Sequence, residues 1–286
     1  MNNLIFNFLL YKLIKMVFNL DHSHFDNMNH LNNMNHHIDH SHSNNINHYN
    51  DHSHNMNHHN DHHNISNLNH DDRYRAIISE ISYGGPSSDD VSSNENILNV
   101  ISKFKNEYPV YSNKLNDLKI LDSNYDSVIL KDNSNNTCYL SSRGTDLTPG
   151  QSTLVRDLYN DSLIAKGYTP HRSITTEDFL IKQMKLHPEC SNWEAVGHSA
   201  GGRVVEDIGV NHPEIKVTSF NAGRTLFDNN TIKNIISKHD NITSHKVVND
   251  IISTGISPGT TMYHTLDDPI ANLNPLKTHS LNSFTY

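Results

Sequence analysis

The amino-acid sequence predicts an α/β fold, a mostly parallel sheet with helices on both faces, preceded by a disordered arm rich in histidine and asparagine. Two observations lead to this prediction. Beyond residue 70, apolar runs with strand periodicity alternate with runs of helical periodicity, which is typical of parallel strands joined by crossover helices. Before residue 70 the composition is too polar and repetitive to bury a core, so no fold is predicted there.

Helical periodicity predicts five helices after residue 70. In the first, Tyr74, Ile77 and Ile81 recur at helical spacing until the turn sequence GGP at 84–86 stops it. The third ends before Pro188, because proline cannot continue a helix. The predicted helices are 73–82, 94–106, 176–186, 201–210 and 231–238.

Short runs rich in β-branched and aromatic residues predict the strands, since each run is bounded by turn residues. The first two runs are joined by the sequence DNSNN at 132–136, which predicts a hairpin or two adjacent strands. The predicted strands are 127–131, 137–142, 192–196, 215–220 and 245–248.

The composition changes sharply near residue 70 and divides the chain into three segments. All 12 glycines and all 9 prolines lie after it, whereas 15 of the 23 histidines lie between Asp21 and His70. We therefore predict a hydrophobic or amphipathic N-terminal segment at 1–20, a low-complexity disordered region at 21–70 and a folded domain at 71–286.

Residues 4–20 are largely apolar but contain Lys12 and Lys15, which fall on one stripe of a helix. Such a segment is short for a membrane span, and two lysines would be costly in hydrocarbon. We expect an interfacial helix that makes peripheral membrane contact. An uncleaved anchor, an atypical signal or an unstructured start remain alternatives.

The histidines of residues 21–70 could bind zinc, copper or nickel, because neutral imidazole is a ligand for all three. Nothing in the repeats fixes a coordination geometry, so we expect adventitious metal binding or none. The alternative is a selected metal-binding or pH-responsive role for this arm, since histidine becomes charged between about pH 7 and 5.

Charge and cysteine content exclude several classes of protein. The formal net charge of -9 offers no basic surface for nucleic acid, so no nucleic-acid partner is expected. Cys138 and Cys190 are too few for a disulfide framework and lack the spacing of a zinc site. We expect two ordinary thiols.

The chemistry concentrates in the turn between the strand 192–196 and the helix 201–210. The sequence GHSAG there is a G-x-S-x-G pattern in the strand, turn and helix context of a nucleophile elbow. Gly197 and Gly201 lie two residues before and after Ser199, where a side chain would keep the strand and helix apart. Ser199 is therefore predicted to be a nucleophile held in a strained backbone conformation.

Four motifs in one order resemble the class 3, or fungal-type, lipases of the α/β-hydrolase superfamily. The resemblance spans about residues 125–284 and does not extend to the first 70 residues. The motifs are RGT at 143–145, DLYND at 157–161, GHSAGG at 197–202 and SFNAG at 219–223. Two positions depart from the family pattern: Ser142 stands where an aromatic residue is usual, and Ala200 stands where leucine is commoner.

The resemblance implies a triad in the order Ser, Asp, His. Asp250 follows the strand 245–248, where the family places its acid, and would orient the imidazole. His279, near the C-terminus, matches the family's base. Asp267, Asp268 and His264 are the competing candidates.

The same resemblance implies an oxyanion hole. The donors would be the backbone N–H of Ala200 and that of Thr145, whose hydroxyl could add a third bond. The segment 146–156 corresponds to the mobile lid of the resembled lipases, although it contains few aliphatic residues.

The expected function is therefore a serine ester hydrolase that acts on acylglycerols or phospholipids without a metal or cofactor. A thioesterase or amidase using the same triad is one alternative. A noncatalytic hydrolase-like domain, whose histidine-rich arm binds metal or partner proteins, is the other.

Overall fold

The computed structural model describes residue 65 and residues 67–84, 93–145, 161, 163–164, 166–225, 228 and 230–286. The predicted amphipathic segment 1–20, most of the histidine-rich region 21–70 and the lid segment 146–156 lie outside the described residues. None of the described helices is long and apolar enough to cross a membrane.

Seven described strands form one sheet in which the strands neighbour each other in chain order. The first two pairings, β1 with β2 and β2 with β3, are antiparallel, and every pairing from β3 to β7 is parallel. The predicted mostly parallel sheet is therefore confirmed, and of the two alternatives left for the runs 127–131 and 137–142 the structure shows the hairpin, as the antiparallel pair β2 and β3. The strands are β1 Leu118–Ser123, β2 Ser127–Asp132, β3 Thr137–Ser142, β4 Asn192–His198, β5 Lys216–Phe220, β6 Ile242–Val247 and β7 Thr260–His264.

Helices cover both faces of the sheet, as predicted. Successive side chains of a strand point to opposite faces. In β2, Val128 packs in one apolar cluster with Ile77 of the first helix, whereas Ile129 packs in another with Val204 of the elbow helix. The described helices are α1 His70–Ile81, α2 Ser93–Glu107, α3 Ser112–Asn116, α4 His171–Leu186, α5 Ala200–Asn211, α6 Thr231–Ile236, α7 Pro275–His279 and α8 Asn282–Thr285.

All ten predicted elements are present, with shifted ends. The largest shift is in α4, which begins five residues before the predicted 176, directly after Pro170. Its first turn is polar and lacks the apolar spacing that marks a helix in sequence. The two outermost strands, β1 and β7, were not predicted, because they lie at the sheet edges and bury little continuous apolar surface.

The packed core reaches back before the predicted domain start at 71. Ile65 and Leu68 are buried in a cluster with Phe220 and Phe284. The side chain of Asn69 caps α1 by accepting a hydrogen bond of 2.8 Å from the N–H of Asp72. The end of the histidine-rich region is therefore part of the folded unit.

Cys138 and Cys190 form a disulfide whose Cα atoms lie 5.6 Å apart, so the prediction of two ordinary thiols was wrong. The parallel pairing of β3 with β4 places Cys138 opposite Trp193, next to the turn that holds Cys190. The two cysteines are 52 residues apart in sequence. Only the pairing of the strands brings them together.

Candidate active site

Ser199 lies in the sharp turn between β4 and α5, at the carboxyl end of the parallel strands. Its backbone has φ 56° and ψ -125°, a conformation that residues with a side chain rarely adopt. A Cβ atom at Gly197 would collide with the backbone of Gly201, and one at Gly201 would collide with the carbonyl oxygen of Ser142. Both glycines are thus required for β4, α5 and β3 to approach one another around the serine.

A chain of two hydrogen bonds joins the three residues predicted as a triad. The hydroxyl of Ser199 lies 2.8 Å from Nε2 of His279. The opposite ring nitrogen, Nδ1 of His279, lies 2.9 Å from Oδ2 of Asp250. The carboxylate of Asp250 is fully enclosed, whereas the imidazole of His279 keeps 16% of its surface exposed. The imidazole of His279 therefore remains partly accessible to solvent, whereas the carboxylate of Asp250 does not.

Two short helices near the C-terminus, α7 and α8, hold His279 in place. His279 is the last residue of α7, and the following helix α8 anchors the chain end by burying Phe284. Asn221, at the end of β5, donates a hydrogen bond of 2.8 Å to the carbonyl of Thr278 and accepts one of 2.9 Å from the N–H of Val247. Asn221 thus connects the histidine to the strand that leads to Asp250.

His264 and Asp268, two of the competing candidates for the triad, have hydrogen-bond partners outside the chain that joins Ser199, His279 and Asp250. His264 ends β7, and its Nε2 is 2.9 Å from Nδ1 of the buried His245, whose other nitrogen lies 3.3 Å from Asp72. Asp268 accepts a hydrogen bond from the N–H of Ile270. In the described part of the chain, no group of three or more His, Cys, Asp or Glu side chains could hold a metal ion.

Thr145 follows β3, and Ala200 is the first residue of α5. An N–H in the first turn of a helix has no acceptor within the helix, so that of Ala200 can serve an external oxygen. The hydroxyl of Thr145 donates a hydrogen bond of 2.7 Å to Asp161. The proton of the hydroxyl is directed at Asp161, which disfavours the third bond that this hydroxyl could add to an oxyanion.

A buried network of charged groups fixes α5 beneath the serine. Arg224, just beyond β5, forms ion pairs with Glu206 and Asp207 of α5 and with Asp228. Arg203 also pairs with Asp207 and Asp228. The charge of Arg224 helps to lower the pKa of the Glu206 carboxyl, although burial acts in the opposite direction.

Tyr83 and His198 are further residues at the site to which the sequence assigned no role. The hydroxyl of Tyr83 is 2.8 Å from Nδ1 of His198 and accepts a hydrogen bond of 3.0 Å from the N–H of Gly144. The other nitrogen of His198 is 2.7 Å from the backbone carbonyl of His279. Tyr83 is 115 residues from His198, so no local pattern could have indicated the contact.

The parallel sheet and the serine turn between β4 and α5 define an α/β-hydrolase-like fold. No protein-family model and no curated protein matches the sequence. Among solved structures, the Lip2 lipase from Yarrowia lipolytica is similar at 15% identity and a TM-score of 0.38, over 63% of this chain and 71% of that chain. A lipase from Rhizopus microsporus var. chinensis is similar at 14% identity and a TM-score of 0.35, over 64% of this chain and 68% of that chain. Likeness at this level concerns the fold alone and carries no argument about the site.

Proposed function

We propose that the protein is a lipase-like serine ester hydrolase, which cleaves carboxylic esters of acylglycerols or phospholipids through an acyl-enzyme on Ser199. One observation carries the proposal: hydrogen bonds join Asp250, His279 and a serine held at positive φ. Strained serines of this kind occur where the hydroxyl must be presented to a substrate.

In the proposed reaction, Nε2 of His279 accepts the proton of the Ser199 hydroxyl as its oxygen attacks the ester carbonyl. Asp250 stabilises the resulting imidazolium through the hydrogen bond from Nδ1 and does not take the proton. His279 then returns the proton to the leaving alcohol, and the acyl group remains on the serine. Water attacks the acyl-enzyme by the same proton path, which releases the acid and restores Ser199.

In this proposal, the backbone N–H groups of Ala200 and Thr145 donate hydrogen bonds to the negatively charged oxygen of the tetrahedral intermediate. Removing one such donor commonly costs about 3 kcal/mol of transition-state stabilisation. The dipole of α5 adds to this, because its positive end lies at the serine.

The choice of a lipid ester as substrate rests on the four motifs that resemble class 3 lipases. Peripheral membrane contact through residues 4–20 remains a prediction of the sequence, which favours a plain polar loop over a mobile lid at 146–156.

The test is labelling with a fluorophosphonate probe, with wild type beside Ser199→Ala and mass mapping of the labelled peptide. The matched control is Ser191→Ala, because Ser191 is an exposed serine whose hydroxyl makes only long hydrogen bonds, 3.4 Å to the carbonyl of Asn136 and 3.3 Å from the side-chain amide of Asn192. We expect labelling of wild type and of the control on Ser199, together with hydrolysis of p-nitrophenyl butyrate and tributyrin. Folded wild-type protein that is neither labelled nor active would refute the proposal.

A further inference from the structure

We propose that Tyr83 and His198 are positioning residues that couple the oxyanion loop after β3 to the backbone of the base His279. This inference rests on the proposed function of the site. Neither residue touches the reacting atoms of the hydrogen-bonded triad, but both lie between groups that must be aligned for catalysis.

The first link runs from the oxyanion loop to His198. The N–H of Gly144, the residue before Thr145, donates to the hydroxyl oxygen of Tyr83 at 3.0 Å. The hydroxyl group of Tyr83 is 2.8 Å from Nδ1 of His198. A Cβ atom at Gly144 would collide with the hydroxyl of Tyr83, so the fit at this point requires glycine.

The second link runs from His198 to the base. Nε2 of His198 lies 2.7 Å from the carbonyl oxygen of His279. A carbonyl oxygen only accepts, so Nε2 must carry the proton, and Nδ1 of a neutral ring then accepts a hydrogen bond from the Tyr83 hydroxyl. His198 therefore donates a hydrogen bond through Nε2 and accepts one through Nδ1.

Burial keeps His198 in this single form. The residue is only 7% exposed. Burial, together with the neighbouring His279, lowers the pKa of the His198 imidazole to about 3. The ring is therefore neutral across the pH range in which a histidine base operates, and its acceptor and donor stay fixed.

The contacts of Tyr83 and His198 matter because the oxyanion loop and the base come from distant parts of the chain. The oxyanion loop follows β3, whereas His279 lies in the short helix α7, which has few residues of its own to hold it rigid. Small displacements of catalytic groups lower the rate strongly, by up to about 100-fold for a shift of 1 Å. The hydrogen-bonded tether from Gly144 through Tyr83 and His198 to His279 limits such displacements.

The first test compares Tyr83→Phe with Tyr111→Phe. Tyr111 is a buried tyrosine whose hydroxyl also bonds to a backbone group, the carbonyl of His70 at 3.0 Å, far from the site in sequence and fold. Phenylalanine keeps the ring at both positions, so the packing of the ring is preserved and only the hydroxyl is lost.

We expect Tyr83→Phe to lower kcat for p-nitrophenyl butyrate by about 10- to 100-fold with KM within twofold of wild type. Tyr111→Phe should leave kcat unchanged. Equal kcat in the two variants would overturn the inference.

The second test compares His198→Gln with His198→Leu. Glutamine can place an N–H near the position of Nε2 and so donate to the carbonyl of His279, whereas leucine cannot. The positioning role predicts that glutamine restores part of the kcat lost in the leucine variant, at similar thermal midpoints. Equal activity of the two variants would contradict it, and if neither folds, the result for Tyr83→Phe decides.

Failure of the inference is distinguishable from failure of the proposed function. If the wild type is active and labelled by the fluorophosphonate, and Tyr83→Phe is also fully active, the tether is refuted and the proposed function stands. Wild type that is neither labelled nor active would remove the proposed function, and the tether with it.

Discussion

Oδ2 of Asp250 accepts a hydrogen bond of 2.9 Å from Nδ1 of His279, although the two residues are 29 positions apart. The carboxylate side chain is fully enclosed, so this contact is shielded from water. Electrostatic interactions in such surroundings are stronger than in water, which suits the proposed role of Asp250 in stabilising an imidazolium.

Replacing Asp250 by asparagine should lower kcat for ester hydrolysis by about 10³- to 10⁴-fold, because the amide no longer favours the productive tautomer of His279. The rate is measured with p-nitrophenyl butyrate at saturating concentration. Asp267→Asn is the control, since Asp267 is an exposed acid in the segment that offered the competing candidates. A full loss in Asp267→Asn, with Asp250→Asn active, would reverse the assignment.

Replacing Thr145 by valine removes the hydroxyl and keeps the backbone N–H, so the variant tests the contribution of the hydroxyl alone. The hydroxyl is held by Asp161 at 2.7 Å, so we expect it to orient the loop without binding the oxyanion. Thr145→Val should then lower kcat by about tenfold or less, and Thr145→Ser should be close to wild type. A fall of 10²- to 10³-fold in the valine variant, the usual cost of a lost oxyanion donor, would show that the hydroxyl itself is such a donor.

Removing the disulfide should destabilise the fold without inactivating the site. The double variant Cys138→Ala, Cys190→Ala should lose about 2–4 kcal/mol of unfolding free energy, because the bond constrains the unfolded chain over 52 residues. Urea unfolding with and without dithiothreitol measures the effect, and the double variant should not respond to the reductant. Two free thiols in native wild-type protein would contradict the disulfide.

Acid should destabilise the protein as the pH falls below about 6.5. Burial and the neighbouring His245 lower the pKa of His264 to about 4, whereas an unfolded histidine has a pKa near 6.5. Between these values the unfolded chain binds a proton that the folded chain excludes, so stability is present above the window and declines as the pH falls through it.

We expect His264→Gln to remove this contribution, which amounts to about 1.4 kcal/mol per pH unit inside the window. The free energy of urea unfolding at pH 7, 6 and 5 gives the slope. Tyr111→Phe serves as the control, because it lowers stability without removing a group that titrates in this range. An unchanged slope in His264→Gln would show that His264 does not exclude the proton.

The local sequence was sufficient to predict the elements whose own residues carry a periodicity or a turn motif. The strand before Ser199, the helix after it and the two glycines two residues away predicted a tight serine turn, because strand-to-helix periodicity and the absence of side chains are properties of neighbouring residues. The positive φ of Ser199 agrees with that prediction. The alternation of strands and helices likewise indicated a parallel sheet covered on both faces.

The tertiary structure decided the relationships between distant residues for which the sequence carries no motif. The disulfide between Cys138 and Cys190 depends on the pairing of β3 with β4, and the edge strands β1 and β7 gain their hydrogen bonds only from their neighbours. The contacts of Tyr83 with Gly144 and His198 have no counterpart in any spacing along the chain. Sequence determines what each segment can form, because propensity and periodicity are local, whereas the packing of the sheet determines which side chains meet.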